Sequence, residues 1–112
     1  MTNKMFEVFL TQGAEDDLEA LHTYVAATRS SDEADGLLDA LLEKIMHLES
    51  FPLRGHVPPE LEALGIQDFR EISLPPYRLI YRVIGSQVMI SLIADARRNM
   101  QALLERRILG RS

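Results

Sequence analysis

The sequence predicts an α+β domain with a mostly antiparallel four-stranded sheet. Three observations predict it. Two amphipathic helical segments follow one another in the first half. Three strand-like segments, separated by turn signals, are grouped in the second half. One short alternating segment precedes them all. A chain of 112 residues is the size of one domain, taken here as 1–112.

Phe6, Val8 and Leu10 alternate with Glu7, Phe9 and Thr11, which predicts a strand over 5–11. Glu15, Asp16 and Asp17 then suit the first turn of a helix, where acids complement the dipole. Leu18, Leu21, Tyr24 and Val25 recur at helical spacing, so a helix is expected over 14–28. Ser30 with Glu33 fits a capping box. Ala34, Leu37, Leu38, Leu41, Ile45 and Leu48 form the apolar stripe of a second helix over 32–50. The short linker predicts an antiparallel helical hairpin.

Residues 51–67 carry Pro52, Pro58 and Pro59 and read as a long crossover, with one helical turn after Pro59. Strands follow at 68–74, 77–84 and 87–94. Pro75-Pro76 stops the first, and Gly85-Ser86 suits a type II′ hairpin turn. The segment QVMISLIA is apolar on both faces and is expected to be central. Met100, Leu103, Leu104 and Ile108 mark a terminal helix over 98–109, with Gly110 as its stop. The hairpin should cover the face bearing Leu79, Tyr81 and Val83, leaving Arg78, Ile80 and Arg82 on the other.

Composition narrows the function. With no cysteine, disulfide scaffolds, thiol nucleophiles and Cys-ligated zinc are excluded. The histidines, His22, His47 and His56, are scattered, and no metal-ligand or phosphate-loop spacing occurs, so neither metal nor cofactor is expected. No apolar run reaches the ~20 residues of a membrane span, and MTNKMFEVFL lacks a signal peptide's apolar stretch, so a cytoplasmic protein without membrane contact is expected. The net charge of −5 argues against direct nucleic-acid binding. That charge is uneven: residues 1–64 carry −9 and residues 65–112 carry +4. Ten of the 12 basic residues are Arg, the side chain suited to gripping carboxylate or phosphate through a planar fork.

The run FREISLPPYRLIYRVIGSQVMISLIADARRN resembles the core of the RelE/ParE superfamily of toxin–antitoxin toxins. The matching features are Arg70, the strand Tyr77-Arg78-Leu79-Ile80-Tyr81, the Gly85-Ser86 hairpin and Arg97-Arg98. The first strand, the acidic leucine hairpin and the SFPLRGHVPPEL loop resemble the ParE branch. The resemblance implies the toxin of a type II module, acting by binding DNA gyrase and neutralised by a cognate antitoxin. It also leaves open a RelE-like ribosome-dependent mRNA nuclease, or a relic that only binds antitoxin, and either a homodimer or a toxin–antitoxin hetero-oligomer.

Two departures bear on that choice. Ile72 stands where RelE-like toxins would place a second basic residue, and no Tyr or His follows Tyr81. A guanidinium is a poor general base, which weighs against RNA cleavage, so no catalytic residue is expected. Asp95 occupies the place of a His common in the ParE branch. The expected target- or antitoxin-binding residues are Arg70, Arg78, Arg82, Arg97 and Arg98. Tyr77 and Tyr81 are expected as core aromatics with wet hydroxyls, and Asp95 as the carboxylate that orders Arg78 or Arg98.

Overall fold

The computed structural model describes residues 5–110. Strand β1 (Glu7–Leu10) leads into α1 (Gln12–Thr28), then α2 (Ser31–Met46) with a 3₁₀ turn at His47–Glu49. A short α3 (Pro59–Glu62) precedes β2 (Arg70–Leu74), β3 (Tyr77–Ile84) and β4 (Gln87–Asp95), and α4 (Met100–Leu109) closes the chain. Each long helix begins at a side-chain cap. Thr11 Oγ1 accepts from the Ala14 N–H, Ser30 Oγ from Glu33, and Asn99 Oδ1 from Ala102. These caps set helix starts that periodicity alone places one or two residues away.

The sheet order is β1-β4-β3-β2. β2, β3 and β4 form an antiparallel meander, and β1 joins β4 in parallel. The sheet is therefore mixed, and β4 is central, as its two apolar faces require. Gly85 has φ +59° and, among the described residues, no non-glycine residue has positive φ, the pattern of a type II′ turn.

Both sheet faces are covered over β3 and β4. On one, Leu41 and Ile45 of α2 and Leu18 of α1 pack on Leu79, Tyr81, Val88, Ile90 and Ile93, with Leu38 and Val83 alongside. On the other, Leu103 and Leu104 of α4 and Leu61 of α3 bury Ile80, Leu92 and Ala94. The second face is therefore not the open arginine-bearing surface expected from the sequence, because α3 and α4 lie on it.

Serving both cores requires a change of phase in β4. Ile80 pairs with Leu92, but Tyr81 pairs with Ile90, leaving Ser91 as the extra residue of a β-bulge. Val88, Ile90 and Ile93 thereby reach one core while Leu92 and Ala94 reach the other. Side chains from both helical layers satisfy the disturbed backbone. The Ile93 N–H donates to Asp17 Oδ2 at 2.9 Å, and Arg107 Nη1 donates to Ser91 O at 2.8 Å. Arg107 also donates to both Asp17 oxygens at 3.0 Å, so α1, β4 and α4 are tied at one point. Asp17→Ala should cost about 1–3 kcal/mol in urea unfolding, because the Ile93 N–H loses its acceptor and Arg107 its counter-charge. A loss under 0.5 kcal/mol would show that the tie is dispensable.

Candidate functional site

Arg78, the first candidate, is enclosed. Its guanidinium makes a two-pronged contact with Glu60, Nη1 and Nη2 each 2.7 Å from a carboxylate oxygen. Nε donates to Glu71 Oε1 at 2.9 Å, and Nη2 also donates to that oxygen. The Arg78 side chain is only 13% exposed, and Glu71 lies buried beneath it. Hydrogen bonds from Arg78 hold the Glu60 carboxyl below its ordinary range, and the pairing with Glu60 raises the Arg78 pKa. The expectation that Arg78 meets an external ligand, ordered by Asp95, is corrected: two internal carboxylates occupy its donors.

The crossover 51–58 explains two further candidates. Tyr81 is fully buried, and its hydroxyl donates to Pro52 O at 2.8 Å and accepts from the Gly55 N–H at 3.1 Å. The hydroxyl is therefore dry rather than wet, and burial raises its pKa. Arg70 Nη1 donates to Gly55 O at 2.7 Å and Leu53 O at 3.2 Å. His56 pairs with Glu71 through both backbone groups, adding a bridge to the β2 edge, and its Nε2 lies 3.0 Å from Glu71 Oε2. Position 55 must be glycine, since a Cβ there would meet Glu71 O at 2.5 Å and the Tyr81 hydroxyl at 2.7 Å. Arg70 and Tyr81 thus satisfy the backbone of a loop that has no ladder of its own. Arg82 pairs with Asp68 at 3.5 Å and lies 5.4 Å from the Phe69 ring centroid.

The remaining candidates meet elsewhere. A groove of about 1000 Å³ opens between the C-terminal half of α1, the start of α2, the Pro75-Pro76 turn and the end of β4. Leu21, Val25, Leu37 and Ile93 line it with apolar surface, and Tyr24 and Tyr77 flank them. Its cations are Arg29, Arg97 and Arg98, and its acids Asp17, Glu33 and Asp95. Each acid already has a guanidinium partner: Asp17 has Arg107, Glu33 has Arg29 at 3.3 Å, and Asp95 has Arg97. Arg97 grips Asp95 through its backbone N–H at 2.8 Å and its side-chain Nη2 at 2.5 Å. This holds the Asp95 carboxyl at a pKa of about 2. Arg98 is exposed, and among the described residues no carboxylate lies within ion-pair distance of it. The groove therefore presents apolar walls and one uncompensated positive charge.

Of the expected residues, the groove gathers Tyr77, Asp95, Arg97 and Arg98 and excludes Arg70, Arg78, Arg82 and Tyr81. Sequence reading missed Tyr24, Arg29 and Leu37. Tyr24 fits the apolar stripe of α1, yet it is 65% exposed because it overhangs the groove.

The family model described as ParE toxin of type II toxin-antitoxin system, parDE, matches residues 8–100. The chain belongs to the ParE toxin family. It is thus a ParE/RelE-type toxin of a toxin–antitoxin system. Solved structures share its fold. A chromosomal ParDE system from P. aeruginosa aligns with TM-score 0.69 and 20% identity, covering 82% of this chain and 97% of that one. The RelBE2 toxin-antitoxin complex from Mycobacterium tuberculosis gives 0.59 and 23%, covering 84% and 94%. A mutant E. coli toxin RelE in the free state gives 0.58 and 16%, covering 88% and 92%. Comparison with curated proteins gives no match. Among the described residues of this ParE-family chain, no helix is long and apolar enough to cross a membrane.

Two outcomes follow from this geometry. Arg78→Ala should cost about 2–4 kcal/mol in urea unfolding, because it strands buried Glu71 beside Glu60. Arg82→Ala should cost about 0–1 kcal/mol. Equal losses would contradict the clamp. Because Asp95 titrates lower in the folded chain than unfolded, its pairing stabilises fully above about pH 4 and fades as pH falls through about 2. Carboxyl NMR should show that low midpoint moving toward 3.8 in Arg97→Gln.

Proposed function

We propose that this toxin acts by binding, with DNA gyrase as its target, and that an acidic, amphipathic antitoxin segment neutralises it by lying in the groove. The carrying observation is the combination of apolar walls with Arg98, the one groove guanidinium that no carboxylate among the described residues pairs. An apolar helix face fits the walls, and a carboxylate on its flank fits Arg98. The toxin–antitoxin complexes among the structural relatives support such a partner. Family membership supports the ParE-type activity over the RelE-type one.

The side chains at the groove support binding without catalysis. Cleavage of a phosphodiester needs a group that takes a proton from the 2′-hydroxyl and one that protonates the leaving oxygen. Asp95 is held ionised by Arg97 and is a weak base in consequence. The guanidiniums can hold a phosphate but do not shuttle protons near pH 7. His22 lies 2.8 Å from Asp35 and His56 is on the Glu71 side of the sheet, so neither stands at the groove.

Induced expression read by plasmid supercoiling and by primer extension on mRNA tests the target. Growth arrest with altered supercoiling and intact mRNA is expected. Codon-positioned cuts that disappear in Asp95→Asn or Arg98→Ala would replace this reading with the nuclease one. For the antitoxin, titration at fixed salt should show Arg98→Glu weakening binding at least about tenfold. Arg106→Glu, exposed and off the groove, should leave it unchanged.

A further inference from the structure

A second surface lies at the opposite end of the sheet. Tyr77 stands at the groove, whereas Val83, six residues along β3, lies about 20 Å away at ~3.3 Å per residue. There Phe6, Pro52, Val83 and Gly85 line an apolar cleft of about 500 Å³. Phe51 and Leu53 border it and project into solvent, 64% and 62% exposed. These are large apolar side chains on a loop whose backbone is fixed from beneath. Tyr81 holds Pro52 O and the Gly55 N–H, and Arg70 holds Leu53 O. Fixing the loop occupies the buried Tyr81 hydroxyl and the half-buried Arg70 guanidinium, yet leaves the loop's apolar groups in water. A surface preorganised in this way loses little further freedom on docking.

The charges indicate the occupant. The segment reads Glu49-Ser50-Phe51-Pro52-Leu53-Arg54. In sequence, its acid stands two residues before Phe51 and its base two residues after Pro52. Among the described residues, neither side chain has an ion-pair partner within reach. A purely acidic partner would meet Arg54 but be repelled by Glu49, and a basic one the reverse. A second copy related by a two-fold axis near Phe51 meets both, each Glu49 facing the partner's Arg54. The same operation offers each protruding Phe51 and Leu53 the other copy's cleft, so knob and hole sit on one patch, as a two-fold contact requires.

We infer that two copies of this chain associate through the 49–54 segment, burying Phe51 and Leu53 in each other's clefts and pairing Glu49 with Arg54. The grooves then remain open at the far ends of the dimer. The contact is independent of what the groove binds.

Sedimentation velocity on the purified full chain, from low to several hundred micromolar at physiological salt, tests this. The unsubstituted chain should dimerise reversibly. Phe51→Ser with Leu53→Ser should raise the dimer dissociation constant at least about 100-fold, since each change counts twice across a two-fold axis. Arg54→Glu alone and Glu49→Arg alone should each weaken self-association. Mixing those two variants should restore a dimer, because each like-charge pair becomes an opposite one. Phe51, Leu53 and Arg54 are exposed and Glu49 half-buried, and unchanged thermal unfolding of Arg54→Glu and Glu49→Arg keeps the charge test valid should the apolar double variant misfold. A monomer at every concentration overturns the inference. So does a dimer indifferent to these substitutions, or a mixture that associates no better than its components.

Discussion

The architecture depends on one constraint: β4 must bury both of its faces. Its neighbour β3 adds Leu79 and Tyr81 to one side and Ile80 to the other, so helices must cover each side of the sheet. The hairpin α1–α2 supplies one layer, and α3 with α4 supplies the other. A regular strand could not direct Val88, Ile90 and Ile93 to one core and Leu92 and Ala94 to the other, since side chains alternate with a period of two. The bulge at Ser91 resolves that conflict. It frees backbone groups at the centre of the sheet, and Asp17 and Arg107 absorb them.

Covering the second face determines the fate of the arginines. Once α3 lies across it, Glu60 is brought to Arg78, and Arg78 shields Glu71 from standing alone in a buried site. The crossover that delivers α3 has no strand partner except at His56, so Arg70 and Tyr81 hydrogen-bond its backbone. Residues of a type suited to gripping external anions thus serve internal carboxylates and carbonyls. Their planar donor geometry is used in full, but inside the molecule.

The two candidate contact surfaces, each with charge left for a partner, lie at the two ends of the sheet. At the Pro75-Pro76 end, each acid has an arginine and Arg98 is surplus. At the hairpin end, Glu49 and Arg54 stand apart around an apolar centre. The first arrangement suits a partner of opposite charge, and the second suits another copy. Because β3 separates the ends rigidly, occupation of one does not block the other.

Much of this was legible in the residues. Apolar spacing identified every long element, the antiparallel meander and the centrality of β4, because period and burial are local properties of a segment. The run from Phe69 to Asn99 also carried the family. Three of the four groove residues anticipated, Asp95, Arg97 and Arg98, lie beside one another in the chain, so their proximity needed no fold to establish it. Which arginines are free did not follow from sequence. Arg78 and Arg98 are the same side chain, and the arrival of Glu60, 18 residues away, and of Glu71 from the neighbouring strand engages only the first. The dry hydroxyl of Tyr81 rests likewise on Pro52, 29 residues distant. Sequence determines what each segment can bury. Tertiary structure decides which charges meet, because a pairing depends on distances of a few ångströms between elements placed by the packing of the whole.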